Sequence, residues 1–333
     1  MKKRFLVAGF GFMGQTHAWS LIHNPKVQLI GIVDPCDPLE RLSIKGNRST
    51  AVVSQEEIRA IPHYKSLEEA LNVTAPDGVV IALPTKFHCS AVVDCMKAGA
   101  DIFVEKPVAI NLQECDEMIR TAQMYKKILA VGQVVRFMRE YQFLKETIDS
   151  GRLGKLKFLK LSRYTGVPTW GNWADPEFIR ASGGPLFDLV SHDVDFVRFC
   201  LGEPEKIESL RNLNLDRSQL NVIMTKFSRS GTEIVIEGGF VSPSSVPFQR
   251  SYTAYFEKGT VQSVQSGEAI EYIGTESIRH DFSYDNPYRT EVDLFVQAIL
   301  TGDSSQICSG SDAAQSVKTC YTIAEQIHYP LPG

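Results

Sequence analysis

Arg4-Phe5-Leu6-Val7-Ala8-Gly9-Phe10-Gly11-Phe12-Met13-Gly14 is the stretch that decides the fold. Arg4 to Ala8 is a short apolar run with the length and composition of a buried parallel strand. It ends in a G-x-G-x-x-G spacing, Gly9, Gly11 and Gly14, with Phe12 and Met13 between the last two glycines. A helical stretch through Trp19, Leu21 and Ile22 follows until Asn24-Pro25 breaks it, and a second apolar run, Val27 to Val33, stops at Asp34. Each residue type has a physical task in gripping a dinucleotide. Gly9 permits the tight turn, Gly11 lets the backbone approach a pyrophosphate, and Gly14 lets helix and strand pack closely. The helix N-terminus offers N–H groups and the positive end of its dipole to phosphates. Asp34 can accept hydrogen bonds from both hydroxyls of an adenosine ribose. Strand, helix, second strand and terminal acid together make the motif specific; the glycines alone would not.

The same acid selects between dinucleotides. A 2′-phosphate would bring about −1.5 to −2 charges against Asp34. Neither Pro35 nor Cys36 can neutralise them, and Arg41, the nearest cation, is expected down the next helix. NAD is therefore expected over NADP.

A chain of 333 residues suggests two domains. With 43% hydrophobic and 22% charged residues it has the composition of an ordinary globular protein. A net charge of −4 without a block of like charges argues against a nucleic-acid partner. The seven cysteines form no C-x-x-C pair and are odd in number, which suggests free thiols in a reducing compartment. Met1-Lys2-Lys3-Arg4 before an apolar run resembles a leader, but the run is too short and flows into the glycine turn. Nothing reaches the length of a membrane span. The expectation is a cytoplasmic protein with no membrane partner.

Between Asp34 and residue 75 the pattern suggests a crossover helix around Pro38–Ile44, a polar loop, and a helix opened by a capping box at Ser66-Leu67-Glu68-Glu69. Val79 to Leu83 reads as a buried strand, followed from Pro84-Thr85-Lys86-Phe87-His88 by a helix to Gly99. Ile102-Phe103-Val104 is the next strand and ends in Glu105-Lys106-Pro107. A helix capped at Asn111 and a strand Leu129 to Gly132 close the series. Alternating strands and helices through residue 133 predict a doubly wound parallel sheet, with ligands at the carboxyl ends of its strands. Gly9 to Gly14, Asp34, Pro84-Thr85 and Glu105-Lys106-Pro107 then share one edge.

After Gln133 the grammar changes. A short helix around Tyr141, Leu144 and Ile148 precedes a strand from Lys155 to Tyr164 and a long loop holding Pro168, Trp170, Trp173 and Pro176. Gly183-Gly184-Pro185 leads into a helix from about Leu186 to Leu201. Strand candidates follow at Ile207–Leu210, Leu220–Phe227, Glu233–Phe240, Ser251–Phe256 and Val261 to Val264. Two helices, from Pro287 and from about Asp312 to His328, end the chain. The predicted architecture is an α/β Rossmann domain over 1–133 and an α+β domain over 134–333. The second carries a large, mostly antiparallel open sheet, and its C-terminal helix could pack back on the first domain. Ile223, Phe227, Ile234 and Ile236 should not all fit under the helices, which predicts a homo-oligomer, dimer or tetramer, joined sheet to sheet.

Two local patterns carry chemistry. A lysine at a strand end beside a cofactor crevice, Lys106, could polarise a carbonyl or alkoxide; a lone turn lysine is more often merely solvated. In Asp188-Leu189-Val190-Ser191-His192-Asp193-Val194-Asp195, Asp188 and His192 are i, i+4 and share a helix face, with Asp195 on it too. A carboxylate beside an imidazole fixes its orientation and favours its protonated form, as a proton shuttle requires. A capping aspartate and a satisfied histidine explain the same residues. With no cysteine nearby they are not a zinc set, and no metal is expected.

These pieces resemble the glucose–fructose oxidoreductase / inositol dehydrogenase / rhizopine-catabolism (Gfo/Idh/MocA) family. The resemblance rests on the glycine fingerprint, Pro84-Thr85 with His88, Glu105-Lys106-Pro107, and Gly183-Gly184 leading into Asp188, His192 and Asp195. Gly151 to Leu156 and the helix after Asn286-Pro287-Tyr288 are similar too. Pro185 replaces a third glycine often seen there, and Val190 stands where many members have glycine. The resemblance implies an NAD(P)-dependent oxidoreductase acting on CH–OH groups of sugars, cyclitols or related polyols, with Lys106, Asp188 and His192 at the substrate. Expected cofactor contacts are Gly9, Gly11, Phe12, Met13, Gly14, Asp34, Pro84, Thr85, His88, Glu105 and Lys106. Arg163, Trp170, Asn172 and Trp173 are candidate sugar contacts, since aromatic faces stack on C–H surfaces and guanidinium or amide groups bind hydroxyls. Two alternatives stand beside this reading: an NAD-dependent glycosidase that eliminates without net redox, and a non-catalytic NAD-binding sensor.

Overall fold

The computed structural model describes residues 1–42, 53–167, 175–214, 221–241, 243–264, 267–282 and 286–329. It divides into two compact units, residues 1–133 with 288–317, and residues 134–287 with 318–333. Nearly all of the helix Pro287–Thr301, expected with the second domain, thus belongs to the first unit. The reason is apolar packing: the Phe295 ring meets Phe5 edge-on at 5.9 Å and Phe103 at 5.8 Å, and Val292 and Val296 join the same core.

The first unit is built on six parallel strands, β1 (Lys3–Ala8), β2 (Val27–Val33), β3 (His63–Tyr64), β4 (Gly78–Ile81), β5 (Asp101–Glu105) and β6 (Leu129–Gly132). Their order is β3-β2-β1-β4-β5-β6, the doubly wound arrangement that the sequence predicts. The register aligns the strand ends. Ala8 pairs with Val33 and Ile81, and Ile81 with Val104, so the turns after β1, β2, β4 and β5 leave the sheet at one edge. Between β2 and β3, a helix Gln55–Arg59 occupies part of the expected polar loop. Ser54 and Glu57 form its complete capping box, but only Ile58 of its five residues is buried, so it leaves no apolar period. At the next helix Ser66 accepts from the Glu69 amide (3.1 Å), whereas the Glu69 carboxylate accepts from Lys65 (2.9 Å), one residue before the cap. The crossover helix is observed over Pro38–Arg41 with Leu42 as its C-cap, and the last two residues of its expected span, 43 and 44, lie outside the described residues.

The second unit holds eight strands, β7 (Leu156–Gly166), β8 (Lys206–Asn214), β9 (Asn221–Arg229), β10 (Thr232–Val241), β11 (Gln249–Phe256), β12 (Thr260–Ser263), β13 (Glu268–Ile273) and β14 (Glu276–Asp281). Their order is β14-β13-β12-β11-β7-β10-β9-β8, antiparallel throughout except where β7 meets β10. The charged hairpin β13–β14 escapes the hydrophobic pattern because β14 is an exposed edge, where charge is what keeps a strand from pairing further.

Ile223, Phe227, Ile234 and Ile236 occupy alternate positions on β9 and β10, and all four are buried within the unit. The expectation that some would be left over for another subunit is therefore corrected. The opposite face of the sheet mixes charge with apolar residues: Lys160 of β7 pairs with Glu237 (2.8 Å) and Lys226 with Glu233 (2.6 Å), beside half-buried Phe158 and Val235.

Two buried ion pairs tie the helix Ser191–Leu201 into the second unit. Arg163 of β7 donates twice to Asp193 (2.9 and 2.7 Å), and Arg136 donates twice to Asp195 (both 2.7 Å). Both aspartates are fully buried. Arg163→Leu should therefore lower unfolding stability by about 3–5 kcal/mol by leaving Asp193 charged and alone. Replacing Asp193 by leucine as well should recover part of the loss, as read from chemical denaturation of both variants.

Candidate active site

The glycine turn after β1 is shaped by positions where a Cβ cannot fit. Gly9 has φ +89°, and a Cβ there would come within 2.5 Å of the Ala82 carbonyl oxygen. A Cβ on Gly14 would run into the Gly9 carbonyl. Gly11 differs: it caps the helix Phe12–Ile22 in extended conformation with no side-chain cap, and an added Cβ would meet nothing within 4 Å. Gly11, Phe12 and Met13 are half-buried, while Gly14 and the next turn are buried. Uncapped first-turn amides at an open backbone fit a pyrophosphate.

Asp34 lies at the end of β2 and is only 5% exposed. Its Oδ2 accepts from the Phe10 amide (2.8 Å), which ties the acid to the glycine turn. Its Oδ1 accepts from the Cys36 amide (2.9 Å) and from Arg41 Nε (3.2 Å). Arg41 is thus at the acid and not remote from it, because it sits in the first turn of the helix that begins at Pro38, four residues after Asp34. Three donors already occupy the carboxylate, which leaves about one of its four lone-pair positions for a ribose hydroxyl.

The turns after β4 and β5 are joined by His88. Its Nε2 lies 2.8 Å from the Leu83 carbonyl oxygen, and its Nδ1 lies 3.1 and 3.2 Å from those of Pro107 and Val108. The ring is 1% exposed, and burial pushes its pKa below the ordinary histidine value. His88 was expected at the cofactor. The structure makes it instead a clamp between two strand-end turns, its nitrogens committed to carbonyls. Pro84 and Thr85 are half-buried on the first of those turns.

Glu105 is likewise turned inward. One oxygen lies 2.6 Å from His17 Nε2 and the other accepts the Lys106 amide at 3.2 Å. Its expected contact with the cofactor is replaced by support of the backbone that carries Lys106. Lys106 itself is half-buried, and its bond to Pro107 is cis. His17 was not anticipated. It lies 88 positions from Glu105, and only the parallel sheet brings them together.

In the second unit, Gly183 and Gly184 adopt φ +83° and +61° and open a single π turn, Leu186–Val190, that runs into the helix Ser191–Leu201. Such turns occur frequently at functional sites. From Gly183 to Arg198 every residue is buried except Asp188 and His192, both half-buried. Over this span two polar side chains, four residues apart, are thus what the chain leaves outside its core. Asp195 does not join them, because it is spent on Arg136. Arg163 is withdrawn as a sugar contact for a similar reason: it is 2% exposed, with its guanidinium on Asp193. Trp170, Asn172 and Trp173 lie outside the described residues.

Comparison with known proteins bears on the family and the fold. A family model described as an oxidoreductase family with an NAD-binding Rossmann fold matches residues 3–133. The GFO/IDH/MocA C-terminal domain matches residues 141–262. Inositol 2-dehydrogenase of Rhizobium meliloti is 26% identical over 320 residues, 91% of this chain and 90% of its own. Myo-inositol 2-dehydrogenase of Thermotoga maritima is 30% identical over 200 residues, 60% of this chain but only 55% of that enzyme's length. Among solved structures, UDP-N-acetylglucosamine 3-dehydrogenase from Acidithiobacillus ferrooxidans superposes with a TM-score of 0.79 at 19% identity, covering 100% of both chains. An Agrobacterium radiobacter oxidoreductase in complex with NAD+, L-tartaric acid and magnesium gives 0.80 at 16% identity, covering 99% of this chain and 96% of its own. At that identity they attest the fold. With both units matched by its models, the chain belongs to the Gfo/Idh/MocA family of oxidoreductases.

Proposed function

We propose that the protein is an NAD-dependent dehydrogenase acting on a secondary hydroxyl of a sugar, a cyclitol or a related polyol. The observation that carries this reading is the Asp188–His192 pair, left half-buried on a helix whose other side chains from Gly183 to Arg198 are buried. A fold needs no acid–imidazole pair at its surface, whereas alcohol oxidation needs a proton acceptor with a carboxylate to hold it. The inositol dehydrogenases among the relatives support the substrate class. When bound, the nicotinamide supplies the hydride acceptor. The glycine turn holds the pyrophosphate, Asp34 binds the ribose, and Phe12 and Met13 flank the phosphates. His192 takes the hydroxyl proton, directly or by relay. Asp188 orients the imidazole and stabilises its cation, and Lys106 offsets the charge growing on the alkoxide oxygen.

Assembly and location complete the proposal. A homo-oligomer joined through the outer face of the second unit's sheet is supported by Phe158 and Val235, half-buried there, and by Tyr255, 47% exposed. Seven free cysteines, five of them buried, fit a reducing compartment such as the cytoplasm. Among the described residues no helix is long and apolar enough to cross a membrane.

Four measurements check these points. A panel of polyols, sugars and sugar derivatives should include a substrate that accumulates NADH; redox-neutral turnover would favour elimination, and no turnover a sensor. On that substrate His192→Ala should lower kcat by about 10²–10⁴-fold with little change in the NAD dissociation constant; wild-type turnover across the pH range would overturn its role. In equilibrium titrations NAD should bind more tightly than NADP. Asp34→Ser should narrow the gap and Arg41→Ala should widen it, because its guanidinium lies at Asp34, where a 2′-phosphate would arrive. In analytical ultracentrifugation, a concentration-independent monomer would rule out the oligomer.

A further inference from the structure

Three acid–base side chains from distant parts of the sequence meet inside the first unit. His17 comes from the helix Phe12–Ile22, Glu105 from the end of β5 and Glu291 from the helix Pro287–Thr301. One nitrogen or oxygen of each lies within 4.8 Å of those of the other two. His17 is fully buried and Glu291 is 2% exposed. Neither carboxylate oxygen of Glu291, nor His17 Nδ1, has a hydrogen-bond partner among the described residues. The surroundings are aromatic: the Phe103 ring lies 5.2 Å from His17 and 5.8 Å from Phe295, one turn along from Glu291. His88 is the further titratable group that Glu105 reaches electrostatically. Two carboxylates and an imidazole packed this closely, away from water, cannot all take charge independently.

We propose that His17, Glu105 and Glu291 form a buried proton-sharing cluster in which a neutral Glu291 faces the Glu105 carboxylate, and that this cluster positions Lys106. Burial, and then the charge of Glu105, hold the Glu291 carboxyl well above the usual carboxylate range. A neutral carboxyl can donate where a carboxylate can only accept. With His17 on one oxygen and the Lys106 amide on the other, Glu105 fixes the backbone that carries the lysine. A divalent cation could bind a similar donor set. However, 2.6 Å between His17 and Glu105 is a hydrogen-bond distance. Two ligands of one ion at about 2.0–2.2 Å each would stand farther apart. The effect on Lys106 rests on the dehydrogenase reading; the proton sharing does not.

Infrared spectroscopy of the full-length protein at neutral pH reads the cluster without turnover. The carbonyl band of a protonated carboxyl group should be present in the wild type and absent from Glu291→Gln. Its absence from the wild type would overturn the proposal, as would a stoichiometric divalent ion in the purified protein that Glu291→Gln loses. On the identified substrate, Glu291→Leu removes the donor and should lower kcat by about ten- to hundredfold, the scale of a misplaced reactive group. The NAD dissociation constant should hold. Glu291→Gln, neutral and of the same shape, should restore most of that kcat. If it is as impaired as Glu291→Leu, an ionised carboxylate is required and the cluster is wrong. A wild type without the band would refute the proton sharing alone, and an unreactive polyol panel would refute the dehydrogenase reading alone.

Discussion

Six parallel strands that end in register are the constraint on which the first unit depends. Because Ala8, Val33, Ile81 and Val104 pair across the sheet, every chemically interesting turn of that unit emerges at one edge. A parallel sheet requires each strand to be followed by a crossover, so turns at that edge are free of hairpin geometry and can carry function. Four polar links then lock them together. Phe10 donates to Asp34, His88 clamps the turns after β4 and β5, His17 meets Glu105, and Glu105 receives the Lys106 amide. The first three links join residues on different elements, and the last holds Lys106 to its neighbour at the end of β5.

The second unit uses its buried charges differently. Arg163 with Asp193 and Arg136 with Asp195 sit within the core, each pair bidentate, and fix the face that the helix Ser191–Leu201 turns inward. That choice leaves Asp188 and His192 on the other face. The π turn contributes as well, since it changes the helical phase between Gly184 and Ser191. Such pairs contribute less to stability than to orientation, because desolvation offsets most of their attraction. Charge in this stretch therefore has two roles: Asp193 and Asp195 anchor it in the core, while Asp188 and His192 stay half-buried.

Several expectations failed for a common reason: they assigned a role to a residue type without knowing its partner. Arg163 and His88 have the chemistry of ligand contacts, but neighbours consume it. Glu105 belongs to the motif yet points inward, and Arg41 is closer to Asp34 than its place in the chain suggests. The four apolar residues of β9 and β10 looked surplus, yet all of them are buried within the unit.

The sequence by itself determined the doubly wound sheet, the glycine turn, the acid after β2 and the lysine after β5. Each is written in a local signal: apolar runs of strand length, glycine spacing, or a residue's place at a strand end. It also singled out Asp188 and His192 as neighbours in one helical stretch, because four residues on a helix is a local distance. Only the tertiary structure decided which polar residues keep their chemistry available. His17 and Glu291 carry no local signal, since their partner, Glu105, lies 88 positions from the first and on another element from the second. Burial and partnership are properties of contacts between distant segments, and a linear pattern encodes them only through the fold that it specifies.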